Sequence, residues 1–360
     1  MTRIFNFSAG PAMLPLPVLE QAQRDLVSLP GVGMSVMEIS HRSKTFENLL
    51  DTAIADIRAL AGVPSHYRIL MLQGGATLQF SMVPMNLLAP GTTADYVDTG
   101  SWADKAIKEA RKVGAVNVVG STKADGYTRI PAAQELTLTP GAAYVHITSN
   151  NTIEGTEWKA PPEVGPAPLV VDASSDIFSG PIDVGRFGLI YAGAQKNLGP
   201  SGVTLVIIRE DLVGRAPASV PIMLDYKIHA DNNSLYNTPN TFGVYILGLT
   251  MTWLRSQGGL EGIARINQRK AGTLYAEIDR TGFYRGTARK DSRSLMNVTF
   301  RLRDEPLEAL FEKEATAAGL DGLKGHRSVG GMRASIYNAF PEEGVDALVQ
   351  FMREFERRRG

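Results

Sequence analysis

Cysteine is missing from all 360 positions. Disulfides, thiolate metal sites and thiol nucleophiles are therefore excluded, and the chain fits a reducing cytoplasm. Net charge is missing too. Thirty-seven Lys and Arg balance 37 Asp and Glu, which leaves no basic footprint for nucleic acid and no membrane-surface patch. The apolar run from Tyr245 to Leu254 is too short, and too interrupted by Gly and Thr, to span a bilayer. The opening residues hold no signal-like apolar core, so a cytoplasmic location is expected. Low-complexity segments and internal repeats are absent.

What is present describes an ordinary globular protein, 44% apolar and 21% charged. Its length exceeds a typical single domain, so one large and one small domain are expected. Two short apolar runs, Pro168 to Val171 and Phe187 to Ala192, read as buried parallel strands flanked by Gly, Pro and Ser. Asp172 follows the first run and Lys196 the second. In an open α/β sheet, ligands bind beyond the carboxyl ends of the strands. An acid and an amine delivered there suit pyridoxal phosphate, which needs a Lys for its Schiff base and a carboxylate for its ring nitrogen. An isolated Asp and Lys would more simply be a salt bridge. Here the lysine is set among small residues, Ala192-Gly193-Ala194 before it and Gly199-Pro200 after it. A long side chain ordered in so tight a turn is better explained by a ligand than by solvation.

The remaining pattern alternates strands and helices to about residue 210, as a parallel sheet covered on both faces requires. Helices are predicted over 18–28, Thr45 to Leu60 (closed by Gly62) and Thr241 to Ser256, with strands at Arg68 to Leu72 and Ala94 to Asp98. Ser101 and Asp104 read as a capping box. The fold class is thus α/β, with a mostly parallel sheet in a large domain over 16–260. A smaller α+β domain is assigned to 1–15 and 261–360. In the latter, Ser294 to Leu302 and Ser328 to Tyr337 read as strands, and Pro306 to Ala318 and Pro341 to Arg359 as helices.

Other candidates for chemistry are weaker alone. Gly74-Gly75-Ala76-Thr77 links a strand to a helix N-terminus, where free amides favour a phosphate, although a Gly-Gly turn is often only a turn. Trp102 offers a flat face to a planar ring, or simply packs. Thr152 is a loop hydroxyl that caps a turn or meets a ligand. His41-Arg42 and His326-Arg327, with Arg333 close behind, pair His and Arg beside Gly-rich sequence, which points to anion capture. They lack the carboxylate and His spacing of a metal site, so no metal is expected.

Several segments resemble the phosphoserine aminotransferases, a group within class V of the fold-type I pyridoxal-phosphate enzymes. They are Phe5-Asn6-Phe7-Ser8-Ala9-Gly10-Pro11, Glu38-Ile39-Ser40-His41-Arg42-Ser43, Gly193-Ala194-Gln195-Lys196-Asn197, Tyr236-Asn237-Thr238-Pro239 and Gly325-His326-Arg327-Ser328-Val329-Gly330-Gly331-Met332-Arg333. The resemblance implies that Lys196 carries the cofactor and Asp172 holds its ring nitrogen. Trp102 would stack on the ring and Thr152 lie near its phenolic oxygen. Ala76, Thr77 and Gln195 would hold the cofactor phosphate, joined by Asn237 and Thr238 from a second subunit of a homodimer with shared sites. Arg333 would take the substrate α-carboxylate. His41, Arg42, His326 and Arg327 would surround the distal phosphate or the glutamate side chain.

Two departures stand out: Thr77 where some members carry an Arg, and Ala9 where some carry a Ser. The implied reaction moves an amino group between glutamate and 3-phosphohydroxypyruvate, giving phosphoserine and 2-oxoglutarate in serine biosynthesis. Action on the four-carbon analogue, 4-phosphohydroxythreonine, is a further implication. The rivals are an alanine–glyoxylate aminotransferase, which needs only one anion site, and a non-catalytic binding protein on the same scaffold.

Overall fold

The computed structural model describes residues 3–360. Seven strands form the main sheet: β1 (Tyr67–Leu72), β2 (Thr93–Asp98), β3 (Ala115–Ser121), β4 (Val145–Thr148), β5 (Leu169–Asp172), β6 (Leu189–Gly193) and β7 (Thr204–Arg209). Their order is β1-β7-β6-β5-β4-β2-β3. Only β7 runs antiparallel to its neighbours, which the sequence pattern did not indicate.

Alternation explains how one sheet is packed on both faces. Ile69, Val171, Ile190 and Leu205 point to one face, where α2 (Lys44–Ala61) and α6 (Thr241–Ser256) supply Phe46, Leu50, Ile57 and Leu247. Leu70, Val170, Tyr191 and Val206 point to the other, against Phe80 and Val83 of α3 (Gly75–Leu87), Ile107 of α4 (Ser101–Ala110) and Tyr226 of α5 (Tyr226–Asp231). Successive side chains leave a strand on opposite sides, so a strand covered on both faces reads as a continuous apolar run. Ser43 caps α2 through the Phe46 amide (3.3 Å), and Gly62 ends it in the left-handed conformation.

A second apolar core gathers Phe7, Phe300, Phe311, Leu348 and Phe355. It lies around the antiparallel strands β8 (Tyr284–Gly286), β9 (Asn297–Leu302) and β10 (Met332–Ser335), with α8 (Pro306–Ala317) and α9 (Glu342–Arg359). Phe5–Asn6 joins this region by pairing with Leu320–Asp321. Helix α7 (Gly259–Ile278) runs between the cores, with Leu260 and Ile263 in the first and Leu274 and Ile278 in the second.

Four local expectations need correction. The first helix, α1, spans Leu16–Asp25, because prolines sit comfortably in a first turn rather than ahead of it. The strand predicted from Ser294 starts at Asn297, since Ser294 Oγ accepts the amides of Met296 (3.0 Å) and Asn297 (2.9 Å) and holds a turn there. The strand predicted over Ser328 to Tyr337 is only Met332–Ser335; Gly330 and Gly331, both at φ 68°, break the extended conformation. Ser101 and Asp104 form no capping box. The chain enters α4 at Ser101, whose amide and hydroxyl both donate to Glu154 Oε1 (2.8 and 2.7 Å), while Asp104 pairs with Lys108. Among the described residues no helix is long and apolar enough to cross a membrane.

Candidate active site

The order of strands reverses beside β4: the chain runs out through β2 to the edge strand β3, then returns to β4 on the other side of β2. The crevice at such a switch point collects the segments that follow the neighbouring strands. Here they carry Trp102 (after β2), Thr152 (after β4), Asp172 (the last residue of β5) and Lys196 (three residues past β6).

Lys196 stands on a closed turn in which the Leu198 and Gly199 amides both return to the Ala194 carbonyl (3.2 and 2.8 Å). Asn197 anchors that turn through the Ile177 carbonyl (3.0 Å) and the Asn338 amide (3.0 Å). Among the described residues the amine has one hydrogen-bond partner, donating to Thr152 Oγ1 at 2.6 Å. Burial pushes it down to about 8; Asp172 and Asp176 pull upward, and the Arg333 charge pushes further down. Asp172 is buried, and its Oδ1 accepts from the Ser174 amide (3.0 Å) and hydroxyl (2.6 Å). Burial raises this carboxyl, while Ser174 and the Lys196 charge draw it back.

Backbone groups complete the pattern. Gly74 precedes α3 with φ 90°, and no side chain caps the helix. Its Cβ would lie 2.4 Å from Leu78, so the tight turn needs glycine. The Ala76 and Thr77 amides make no hydrogen bond among the described residues. Free amides at a helix start suit a phosphate.

Comparison with known proteins now decides the family. The Aminotransferase class-V family model matches residues 4–348. The chain belongs to the class-V aminotransferases. It is 55% identical to a phosphoserine aminotransferase of Herpetosiphon aurantiacus, over 99% of each chain. The solved phosphoserine aminotransferase of Bacillus circulans subsp. alkalophilus is 54% identical, with TM-score 0.98 and 99% of each chain covered. A phosphoserine aminotransferase from Trichomonas vaginalis, solved with bound pyridoxal phosphate, is 39% identical, with TM-score 0.93 over 98% of this chain and 100% of that one.

The residues of this class-V chain fit that cofactor. A low-pKa amine, a buried carboxylate and free helix amides match its aldehyde, ring nitrogen and phosphate. Trp102 Nε1 and Arg333 Nε are buried without partners, so polar groups remain to receive a ligand. Gln195 lies beside Lys196 with its side chain against Gly193 and Gly10. The N-terminal segment closes over this turn: Ala12 N donates to Gln195 O (2.9 Å), and Tyr337 OH donates to Ala9 O (2.9 Å). The contact at Ala9 is thus made by its backbone, and a hydroxyl there is not needed for it.

The anion candidates divide. Arg333 lies on β10 opposite Thr299, close enough for its charge to act on Lys196. His326 shares a hydrogen bond with Ser328 (2.7 Å); burial lowers its pKa, helped by the Arg333, Arg327 and Lys105 charges. Arg327 is exposed beside it. Among the described residues His41 and Arg42 form no hydrogen bond or ion pair with this group, and His41 Nε2 is buried without a partner. Asn237 is partly exposed and Thr238 exposed; the Thr238 carbonyl accepts from Gln73 Nε2 (2.8 Å), just ahead of Gly74.

Sequence reasoning missed Ser174, Glu154 and Tyr337. Ser174 was legible, because an Asp whose side chain binds the amide two residues on is a common turn device. Glu154 had no local signal, since its partner, Ser101 at the start of α4, lies on another segment.

Proposed function

We propose that this chain transfers an amino group between glutamate and 3-phosphohydroxypyruvate, giving phosphoserine and 2-oxoglutarate, with pyridoxal phosphate as cofactor. Lys196 carries the reading: a single amine held by one hydroxyl at the strand-end edge, in the field of both Asp172 and Arg333. The names of the full-length relatives support the choice of substrate. Serine biosynthesis in the cytoplasm would be the setting.

Pyridoxal phosphate, when bound, supplies an aldehyde that takes up amines and a ring that accepts the electron pair released when the substrate Cα loses its proton. Asp172, oriented by Ser174, would keep the ring nitrogen protonated. The Ala76 and Thr77 amides and Gln195 would hold the cofactor phosphate, Trp102 would stack on the ring, and Thr152 would hydrogen-bond near its phenolic oxygen. Arg333 takes the α-carboxylate of either substrate. Burial holds the Lys196 amine well below its ordinary range, which favours the neutral form, and as a free base its Nζ would take the proton from Cα and return it. His41, Arg42, His326 and Arg327 grip the distal phosphate or the glutamate side-chain carboxylate.

Two further parts belong to this reading. Asn237 and Thr238 reach the cofactor phosphate of a second copy, so the active species is a homodimer; full activity in a monomer by sedimentation would end that part. The large cofactor-binding domain spans 16–260, and 1–15 joins 261–360 in the small one, a division supported by the two apolar cores. Steady-state assays with phosphoserine and with alanine as donors test the substrate. Phosphoserine should exceed alanine in kcat/KM by at least about tenfold, because a site built to pair a charged group rejects substrates lacking it. Parity, or a preference for alanine, would overturn the reading.

A further inference from the structure

Helix α4 borrows its cap from another segment. Gly100, the residue before it, offers no side-chain acceptor to the free amides of the first turn. Glu154, 53 residues away, takes that place, its Oε1 accepting both the Ser101 amide (2.8 Å) and the Ser101 hydroxyl (2.7 Å). A buried carboxylate at a helix start has the macrodipole in its favour. The approach is close: a Cβ on Gly100 would lie 2.7 Å from Glu154 Oε2, so a larger residue has no room there. Among the described residues, the two bonds to Ser101 are the only hydrogen bonds of the Glu154 side chain.

The loop that bears Glu154 is itself fixed. The Gly155 amide returns to the Asn151 carbonyl (2.8 Å), and the Ser294 amide donates to the Gly155 carbonyl (2.9 Å). Thr299 Oγ1 donates to the Glu154 carbonyl (3.1 Å) from β9, where Thr299 lies opposite Arg333. Two residues before Glu154, the same loop holds the Lys196 amine through Thr152. One short loop thus sets both the lysine and the start of the helix whose second residue is Trp102. The Trp102 ring also meets Phe80 (6.5 Å between ring centres) and Lys105 Nζ (3.9 Å from the ring centre), on α3 and on α4 itself. Neither contact ties the indole to the lysine. The bond from Thr99 Oγ1 to Asn151 Oδ1 (3.3 Å) joins the same two segments but is longer.

We propose that Glu154 is a positioning residue that fixes the Trp102 ring relative to Lys196. The inference rests on the reading above, in which Trp102 stacks on the cofactor ring and Lys196 carries the cofactor. A planar ring attached at one point and stacked at another needs both held in register, by side chains locked through their own hydrogen bonds.

The test is equilibrium dialysis of pyridoxal phosphate against the cofactor-free chain. The wild type should bind it, and failure to bind would overturn the functional reading and this role with it. With binding established, Glu154→Ala should raise Kd about tenfold, as charge-assisted bonds are lost. Glu154→Gln keeps an oxygen for both Ser101 donors and should stay within about threefold of wild type. In a Trp102→Ala background, Glu154→Ala should change Kd by less than about twofold, because a residue acting through another has nothing left to position. The chain has three tryptophans. With Trp158→Phe and Trp253→Phe, Trp102 reports alone; its emission in the cofactor-free protein should shift to the red in Glu154→Ala and stay in place in Glu154→Gln. Ser101→Ala removes one donor from the other end of the contact, which keeps the test open should Glu154→Ala fail to fold. It should raise Kd about threefold, again only while Trp102 is present. Losses that add in the Trp102→Ala background, or an unmoved Trp102 emission in Glu154→Ala, would overturn the role of Glu154.

Discussion

Lys196 and Lys270 are both lysines drawn into the protein, one at the crevice of the main sheet and one on α7 between the two cores. Burial pushes both amines down, Lys196 to about 8 and Lys270 to about 7. Their partners differ. Lys270 is 1% exposed and donates to three carbonyls, Ile336 (3.0 Å), Tyr337 (2.6 Å) and Phe340 (3.0 Å). Every hydrogen of its ammonium has an acceptor, which favours the charged form against the pull of burial. Lys196 has one hydroxyl, Thr152, and is partly exposed. A saturated lysine ties backbone together, here the segment that follows β10 and so the strand bearing Arg333. An under-coordinated lysine has capacity left for a reacting partner. Composition cannot tell the two apart; the acceptors within reach do.

Removing each amine should break this comparison in opposite directions. Lys196→Ala should lower amino transfer by at least about 10⁴-fold, because the proton carrier and the point of attachment go together. Its cofactor-free form should nevertheless be more stable than wild type at pH 7. Below about 8 the wild-type amine is charged in both the folded and unfolded states, and holding it in a buried place is unfavourable. Between about 8 and the ordinary 10.5 the folded protein releases that proton first, so the advantage of the variant shrinks as pH rises through this window. Thermal melts of both proteins across pH would follow it; an advantage that grew with pH would contradict the assignment. Lys270→Met should do the reverse. It strands the Ile336 and Phe340 carbonyls, leaves that of Tyr337 with the Phe340 amide alone, and should cost about 3 kcal/mol, read as a lower melting temperature. Turnover per folded molecule should stay near wild type, and a loss on the scale of Lys196→Ala would erase the distinction. Thr152→Val gives the smallest effect, about 1 kcal/mol, as one uncharged hydroxyl is lost. It should show as a shifted pH dependence for acylation of Lys196 in the cofactor-free protein, with Lys270 unlabelled throughout. An unmoved profile would mean that Thr152 does not hold the amine.

The chain by itself determined the periodic elements: the apolar runs of β5 and β6, the stripe of α2 ending at Gly62, and the small-residue turn bearing Lys196. These signals are local, since burial on two faces and glycine conformations write themselves into neighbouring residues. The strand-end positions of Asp172 and Lys196 were legible for the same reason. What lay beyond reach was adjacency. That β7 runs antiparallel between β1 and β6, and that Thr152 meets a lysine 44 residues away, follow from the order of strands in the sheet. The same holds for Glu154 meeting the start of α4 and for Lys270 filling its shell with carbonyls from a distant turn. Such contacts arise only when separate segments are packed together, because the free energy that selects them is shared among residues with no common local pattern. The residue types of the site could therefore be read from the chain, but which lysine would be left with a hydrogen-bonding capacity to spare was decided by the tertiary structure.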